Sequence, residues 1–322
     1  MFNLKKLLRS TLIVLISVLV GLLICESILR IKHMFVINYD IEMWKYAKKL
    51  KIESDDENIG HIHRKNAKGI FQNVEIKINN FGQRDINYDN RYLNKFDKKF
   101  LIIGSSVALG WGVEQDKTFS HLLNEYSKKN GKNWIFINGG VGNYNTNRYI
   151  NNYLENWNNL KFDNIIIMYF VNDSEILNKQ KTNFFIKHTH LGVFLWKYYN
   201  SLKSPLQKDS IVSYYKNLYR EDYPGYIKTK QELKKFNNYC MKNKIKCTLV
   251  NMPDIHQLNP YKLNFINKKI KNLTYEMNLN YIDLLPIFKD ADESLFWNKY
   301  QDPHPNEFAH EKISKKIFKE LN

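Results

Sequence analysis

From Lys99 to the C-terminus, short apolar segments alternate with amphipathic segments. The apolar segments are nearly continuous, as expected for strands that are covered on both faces. They lie within residues 98–106, 134–140, 162–173, 246–253 and 279–286. Between them, segments such as 116–130, 147–160, 231–244 and 263–278 have the pattern of helices. This alternation predicts an α/β fold of three layers, α/β/α, with a mainly parallel, flavodoxin-like sheet.

The N-terminal segment has a different pattern, in which an apolar run over residues 11–25 follows three basic residues, Lys5, Lys6 and Arg9. The run is somewhat short for a bilayer span of about 20 residues, but residues 27–29 extend it. A cleaved signal peptide would need small residues after the run, where the sequence reads CESILRI. A lipoprotein site would need a small residue where Ile24 precedes Cys25. The pattern therefore favours a retained signal anchor, with an N-terminal transmembrane helix.

These patterns divide the chain into four regions. Residues 1–9 are predicted to be a cytoplasmic stub, because basic residues remain on the cytoplasmic side. Residues 10–31 form the transmembrane anchor, and everything that follows faces the periplasm or the exterior. Residues 32–98 are mixed and polar, and we predict an extension that packs on the main domain of residues 99–322. Residues 174–226 form a lid-like insertion in that domain.

Charge and cysteine content narrow the classes of function. The chain has 322 residues and a formal net charge of +17. Its lysines are spread along the whole sequence rather than gathered on one element, so we do not predict a nucleic-acid partner. Cys240 and Cys247 lack the CxxC spacing of a zinc site. A disulfide between them could form outside the cytoplasm, but we favour two separate, half-buried thiols.

Polar and small residues follow several of the predicted strands. Ser106 follows the first strand, residues 138–146 follow the second, and Asn172 follows the third. Asp302 and His304 come just before the last helix. Taken singly, each segment has a simple structural explanation, such as a tight turn or a helix cap. Ligands of parallel sheets bind at the carboxyl ends of the strands, however, so we expect these side chains to converge on one cleft.

Serine acyl transfer is the chemistry that fits this set of residues. A serine hydroxyl is a weak nucleophile and needs a base within hydrogen-bonding reach. His304 can be that base for Ser106, if Asp302 orients its ring. The oxyanion of the intermediate then needs donors. The candidates are the backbone N–H of Ser106, an N–H in the Gly142–Asn143 loop and the side-chain amide of Asn172. This chemistry requires no metal and no cofactor.

In this combination the sequence resembles the SGNH/GDSL hydrolases over residues 99–322. Four blocks occur in the family's order: IIGSSVALGWGV with Ser106, NGGVGNYNT, YFVND with Asn172, and DPHPNEFAH with His304 and Asp302. The upstream NNFGQRD is also similar to a lead-in of membrane-anchored members. The resemblance implies carboxylic ester substrates, with O-acetyl groups of cell-envelope glycans as the expected ones.

Three positions depart from the family's pattern. Ser105 replaces the usual aspartate beside the nucleophile. Asn143 stands where the second block usually has glycine, although asparagine tolerates a left-handed backbone, and Gly142 is the second choice for that donor. Many members place the acid three residues before the histidine, where this chain has Gln301. We therefore assign the acid to Asp302, the carboxylate two residues before the histidine.

Two functions from different classes follow. The first is an extracytoplasmic serine esterase or O-acyltransferase, since hydrolysis and transfer share an acyl-enzyme. Its partners would be an ester or acylated glycan and the membrane. The second is a non-catalytic glycan-binding or polysaccharide-assembly protein on the same fold. A nucleotide-binding role is disfavoured because the chain lacks the P-loop lysine. The sequence carries no prediction of the oligomeric state.

The insertion is rich in aromatic residues and lysine, which could stack on sugar rings or pack together as a lid. The remaining histidines are expected to be structural or exposed. His61 and His63 are predicted at the surface and His310 in the last helix, and His188 and His190 lack an evident third metal ligand.

Overall fold

The structure is a computed structural model that describes residues 4–177, 184–203, 210–289, 291–299 and 302–322. Residues 178–183 and 204–209 of the predicted insertion, and Gln301, lie outside these ranges. The helices are α1 Leu4–Phe35, α2 Tyr39–Leu50, α3 Asn90–Leu93, α4 Ser106–Leu109, α5 Phe119–Lys129, α6 Thr146–Asn152, α7 Phe184–His188, α8 His190–Lys203, α9 Ile211–Leu218, α10 Pro224–Lys242, α11 Asn264–Glu276, α12 Leu285–Phe288 and α13 Glu307–Leu321. The strands are β1 Lys51–Glu53, β2 His61–His63, β3 Lys68–Phe71, β4 Val74–Lys77, β5 Lys98–Gly104, β6 Trp134–Gly140, β7 Asn164–Phe170, β8 Lys246–Met252, β9 Asn280–Asp283, β10 Trp297–Lys299 and β11 Asp302–Pro305.

Five parallel strands form the central sheet, in the order β6-β5-β7-β8-β9. The predicted fold class is therefore confirmed. The first strand of the domain, β5, lies inside the sheet, with Gly104 paired to Gly140 on one side and to Met168 on the other. The chain moves from β5 to β6 in one direction and later to β7 in the other. Such a reversal of strand order opens a crevice at the carboxyl ends of the strands.

Alternate residues of the strands contribute to opposite core layers, as expected from the period of a β-strand. Phe100 and Ile102 of β5 belong to a buried cluster with residues of α5 and α13. Leu101 and Ile103 belong to the cluster on the other face, with residues of α6, α10 and α11. Both faces of the sheet are covered. The strand segments of the sequence therefore do not alternate between apolar and polar residues.

The region between the anchor and β5 packs on the main domain through one apolar cluster. Tyr46 of α2 and Phe71 and Ile76 of the β3–β4 hairpin are buried together with Leu109 and Trp111, which follow the first strand of the sheet. The extension therefore contacts the segment that carries Ser106.

Arg84, in the NNFGQRD segment, is buried and holds the loop after α4. Its guanidinium donates hydrogen bonds at 2.6–3.0 Å to three backbone carbonyls, those of Leu109, Gly110 and Val113. Burial lowers the pKa of Arg84 to about 10, which leaves the guanidinium charged at neutral pH. Gly110 ends α4 with a left-handed backbone, φ 76°, which glycine adopts at little cost.

Helix α1 extends away from the rest of the chain. Residues 5–25 are exposed along their whole length. The helical segment Lys5–Phe35 contains an 18-residue window with a mean hydropathy of 2.8, and it is long and apolar enough to cross a bilayer. Length and composition therefore agree with the predicted transmembrane helix.

Cys240 at the end of α10 and Cys247 in β8 form a disulfide, with their Cα atoms 6.3 Å apart. The prediction of two separate thiols was wrong. The helix reverses directly into the strand, and this close return brings the two side chains within bonding distance. Cys25 in α1 is free and exposed.

Candidate active site

Ser106 begins α4, immediately after β5 and at the crevice of the sheet. The sharp exit from the strand requires Gly104, whose φ is 157°. A Cβ at Gly104 would lie 2.8 Å from the backbone oxygen of Met168. Since α4 starts at Ser106, its backbone N–H has no partner within the helix. The turn therefore presents both the hydroxyl and the N–H of one residue at the end of the strand.

His304 and Asp302 lie on β11, which pairs antiparallel with β10. The Nε2 of His304 lies 2.9 Å from Ser106 Oγ, and its Nδ1 lies 2.6 Å from Asp302 Oδ1. Asp302 is almost completely buried, whereas His304 remains partly accessible. The structure thus brings the three predicted residues into one continuous chain of hydrogen bonds, across a separation of 198 residues between Ser106 and His304.

The second oxygen of Asp302 has two further donors, neither of which was predicted. The indole Nε1 of Trp111 donates to Asp302 Oδ2 at 3.0 Å, and the Nε2 of Gln72 donates at 3.2 Å. A buried carboxylate without such donors would carry a large desolvation cost. These two hydrogen bonds fix the orientation of the carboxylate whose other oxygen contacts His304. Gln72 belongs to the N-terminal extension, so the extension completes the surroundings of Asp302.

The oxyanion side differs from the prediction at Gly142. The N–H of Gly142 donates to the hydroxyl of Tyr46 at 3.0 Å, so it is not available to a substrate. The prediction of Gly142 as the second candidate donor was therefore wrong, because Tyr46 of the extension accepts its N–H. Asn143 has a left-handed backbone, with φ 63°, as expected if asparagine replaces the usual glycine. Asn143 also lines the same cleft as Ser106.

The peptide that joins Gly142 to Asn143 is fixed through its carbonyl group. Lys51 Nζ donates to Gly142 O at 2.7 Å, and His61 Nε2 lies 3.1 Å from the same oxygen. In a trans peptide the N–H points opposite to the C=O, so the Asn143 N–H is directed away from Lys51. Donors on the carbonyl also polarise the N–H of the same peptide. Burial, with a smaller contribution from the charge of Arg148, lowers the pKa of Lys51 to about 7.

Asn172 follows β7 and lines the cleft on the side facing Ser106. Its Oδ1 is buried and has no hydrogen-bond partner among the described residues. The backbone N–H of the neighbouring Asp173 donates to Phe170 O at 2.9 Å. The predicted site residues Ser106, Asn143, Asn172, Asp302 and His304 therefore surround one cleft of about 300 Å³.

Tyr39 was missed by the sequence reasoning. Its ring stacks on the His304 ring, with centroids 5.8 Å apart and planes inclined by 27°. The tyrosine is the first residue of α2 and lies only four positions after the end of α1 at Phe35. No sequence signal marks this contact, because it joins the start of α2 to a strand near the C-terminus.

The prediction that His61 and His63 lie at the surface was wrong. His63 is buried, and its ring nitrogens lie 2.6 Å from Tyr46 Oη and 3.0 Å from Gly82 O. His61 is partly buried against Gly142 O. Burial lowers the pKa of His63 to about 3, so it is neutral at physiological pH. Both histidines support the loop that carries Asn143.

A second Asp-x-His pair lies at the same cleft. His256 Nδ1 contacts the buried carboxylate of Asp254, and His256 lines the cleft together with His304. Burial alone would lower the pKa of His256, but the hydrogen bond and the charge of Asp254 outweigh it and raise the pKa. The ring is about half exposed. Asp254 and His256 have the same spacing in the sequence as Asp302 and His304. This repeated spacing was the available signal for the second pair.

His310 lies in the last helix, as predicted. His310 is buried in α13, and its Nδ1 accepts the backbone N–H of Phe119 at 3.0 Å. Within the described ranges, no group of three or more His, Cys, Asp or Glu side chains could hold a metal ion. His188 and His190 belong to α7 and α8, and the ring of His190 packs on those of His33 and Trp44.

No protein-family model and no curated protein matches the chain. Solved structures similar to it include a putative lipolytic protein of the G-D-S-L family from Desulfitobacterium hafniense, with 12% identity over 69% of this chain and 99% of that one, at a TM-score of 0.45. Another is the psychrotrophic esterase EstA from Pseudoalteromonas sp., with 12% identity over 70% of this chain and 100% of that one, at a TM-score of 0.45. A third is the acetylxylan esterase Axe2 from Geobacillus stearothermophilus, with 14% identity over 70% and 95%, at a TM-score of 0.47.

Proposed function

We propose that the protein is a serine esterase or O-acyltransferase of the SGNH/GDSL type. The observation that carries this proposal is the hydrogen-bonded chain from Ser106 Oγ through His304 to Asp302. A serine, a histidine and a buried carboxylate in this order form the constellation that activates a hydroxyl nucleophile. A protein that only binds glycans has no need of such a chain of hydrogen bonds.

Acylation would begin with attack of Ser106 Oγ on the carbonyl carbon of an ester. His304 Nε2 takes the hydroxyl proton as the new C–O bond forms, and Asp302 stabilises the imidazolium. The C–O bond to the alcohol then breaks, and the leaving alkoxide receives the proton from His304. The product is an acyl-serine and a free alcohol.

The tetrahedral intermediate carries its negative charge on the former carbonyl oxygen. We assign its donors to the N–H groups of Ser106 and Asn143 and to the side chain of Asn172. Polarisation of the Gly142–Asn143 peptide by Lys51 strengthens the donor at Asn143. Deacylation repeats the sequence in reverse, with His304 taking a proton from water or from an acceptor hydroxyl. Water gives hydrolysis, and a sugar hydroxyl gives acyl transfer.

The cleft supports a small acyl group as the part that reacts. Its volume of about 300 Å³ lies at the small end of the range for ligand sites, roughly 300–1,000 Å³. Aromatic residues that include Tyr144, Phe170 and Tyr215 also line it, and such faces suit sugar rings. We therefore propose O-acetyl esters of cell-envelope glycans as substrates.

Helix α1 is proposed as a signal anchor, with residues 1–9 in the cytoplasm and the catalytic domain outside. Lys5, Lys6 and Arg9 precede its apolar run, in agreement with the positive-inside rule. The Cys240–Cys247 disulfide supports the same orientation, because disulfides persist mainly outside the reducing cytoplasm.

Hydrolysis of p-nitrophenyl acetate by the full chain in detergent tests the proposed activity. Ser106→Ala should lower kcat/KM by about 10⁴-fold or more, as for other serine triads. Ser105→Ala is the matched control, and its activity should stay within about threefold of wild type. Equal activity in the wild type and Ser106→Ala proteins would contradict the mechanism. Acetyl release from, and transfer to, envelope polysaccharides would then separate esterase from transferase.

A further inference from the structure

Helix α8 presents an apolar, aromatic face to solvent. Phe194, Tyr198 and Leu202 recur every four residues, so they lie on one face, and Leu195 widens the stripe. These four side chains are 47–60% exposed. In α7, which precedes it, Phe184 is also exposed. Contiguous apolar surface of this kind marks an interaction site in a soluble domain.

The N-terminus of α8 docks on α1, at the point where the apolar run of α1 ends. Both carboxylate oxygens of Glu26 accept N–H bonds from the first turn of α8, from His190 at 3.0 Å and from Leu191 at 2.8 Å. An anion at this position satisfies donors that the helix itself cannot pair. Residues 5–25 are fully exposed, and Glu26 is the first side chain of α1 to be partly covered.

Other side chains of α8 contact α1 and α2. The ring of His190 packs edge-on against those of His33 and Trp44, at centroid distances of 5.4 and 5.8 Å. Further along the helix, Lys197 forms an ion pair with Asp40 at 2.8 Å. These contacts from α1 and α2 fix the rotation of α8 about its axis, so the stripe of Phe194, Tyr198 and Leu202 is held outward.

We propose that the apolar face of α8 lies in the surface of the bilayer that α1 crosses, as a second contact with phospholipid. The proposal rests on the proposed anchor. A span of about 20 residues that starts at Ser10 ends at Leu29, about one helical turn after Glu26, which places the N-terminus of α8 near the level of the lipid headgroups. Phe, Tyr and Trp are the residues enriched at that level, and α8 reads HLGVFLWKYYNSLK.

This arrangement would hold the catalytic cleft at the lipid surface. From Phe35, the last residue of α1, to Tyr39 the chain can extend by at most roughly 14 Å. The ring of Tyr39 stacks on His304, which contacts Ser106. Ser106 Oγ therefore lies within roughly 25 Å of the end of α1. An ester that is attached to the membrane, or a glycan that lies along it, would come within reach of Ser106.

Depth measurements on the full chain test this contact without reference to enzyme activity. A nitroxide is attached to Tyr198→Cys in a Cys25→Ser background, and the protein is placed in vesicles of phosphatidylcholine and phosphatidylglycerol. We expect the probe to collide more with oxygen than with a water-soluble nickel complex, as at a shallow bilayer depth. The matched control is Met241→Cys, an exposed apolar position on α10, where the nickel complex should dominate.

A probe on the native Cys25 reports the anchor separately. If Cys25 is in the hydrocarbon but the probe at position 198 is as accessible to nickel as that at 241, α8 does not contact the bilayer. If the probe at 198 is shielded from both reagents, a protein partner or a second copy covers the face, which also overturns the proposal. If Cys25 is itself in water, the anchor and the proposed contact both fail, whereas the esterase assignment does not.

A triple variant tests the functional consequence. Phe194→Ser, Tyr198→Ser and Leu202→Ser together should lower turnover of the acetyl ester of a long-chain alcohol presented in the same vesicles by about tenfold, because the apolar face is lost. Turnover of soluble p-nitrophenyl acetate should remain within about twofold of wild type, which shows that the variant is folded. Equal loss on both substrates, or no loss on either, would contradict a role of this face at the membrane.

Discussion

The indole of Trp111 donates a hydrogen bond at 3.0 Å to Asp302 Oδ2, the carboxylate oxygen that does not contact His304. Trp111 lies five residues after Ser106, in the segment that leads away from α4. One short stretch of chain therefore carries both the proposed nucleophile and a donor that positions the acid. Removal of this donor should impair the orientation of His304 without removing any reacting group.

Trp111→Phe should lower kcat by about tenfold with little change in KM, because a hydrogen bond to a buried charge contributes about 1.5–3 kcal/mol and Gln72 remains as a donor. The measurement is steady-state hydrolysis of p-nitrophenyl acetate. Trp157→Phe is the matched control, since Trp157 is also buried and its Nε1 donates to Phe81 O at 2.8 Å, remote from the cleft. Equal effects of the two variants on kcat would show that only stability is involved.

The ammonium of Lys51 should contribute to catalysis through the peptide bond that it contacts. Lys51→Met retains the apolar stem but removes the charge from Gly142 O. We expect kcat to decrease by about tenfold. The corresponding loss of transition-state stabilisation is roughly half of the loss seen when a whole oxyanion donor is removed. Stability should be maintained, because a buried ammonium carries a desolvation cost that methionine does not.

Two controls accompany Lys51→Met. Lys48→Met changes a lysine that contacts the ring of Trp44 on the same helix, and it should leave kcat unchanged. The melting temperature of each variant separates a catalytic effect from unfolding. An unchanged kcat in Lys51→Met would remove Lys51 from the proposed mechanism.

His310 should make the folded protein sensitive to acid. Burial, with smaller contributions from the charges of Arg84 and His304, lowers the pKa of His310 to about 3, whereas an unfolded histidine has a pKa of about 6.5. The unfolded state therefore binds a proton first as the pH falls. The stability contributed by neutral His310 is fully present above pH 6.5 and decreases by about 1.4 kcal/mol per pH unit between pH 6.5 and 3.

Urea denaturation of the wild type and of His310→Gln between pH 7 and 4.5 measures this dependence. The variant loses a buried contact and should be less stable at pH 7. Its stability should nevertheless fall less steeply with decreasing pH, by the equivalent of one proton. Parallel curves for the two proteins would show that His310 does not remain neutral in the folded state.

Local pattern was sufficient to predict the elements of the α/β domain. The side chains of residues 100–103 of β5 pack alternately into the two core layers, so all four are apolar. The sequence shows this uninterrupted apolar segment directly. Parallel strands bring their carboxyl ends to one edge, and this rule covers Ser106 after β5 and Asn172 after β7. The approach of His304, which lies on β11 outside the parallel sheet, was expected from the resemblance to the SGNH/GDSL hydrolases. The left-handed backbone of Asn143 was expected because the resembling family usually has glycine at this position and asparagine tolerates that conformation.

Contacts between distant segments were beyond prediction. Gly142 was a candidate donor from the sequence, but its N–H donates to the hydroxyl of Tyr46, which lies 96 residues earlier in the chain. Gln72 approaches Asp302 only because the β3–β4 hairpin packs on the segment after α4. The Cys240–Cys247 disulfide depends on the Cα separation across a helix-to-strand turn. Each of these outcomes is set by tertiary packing, for which one sequence has no local signal.

Covalent labelling with a fluorophosphonate tests the central claim most directly. The reagent reacts with a serine only where a base activates the hydroxyl, and mass spectrometry locates the adduct. We expect a single adduct on Ser106 in the wild-type protein, and labelling that is at least about 100-fold slower in His304→Ala. The absence of an adduct on Ser106, or an equal rate in His304→Ala, would contradict the assignment of Ser106 as a nucleophile activated by His304.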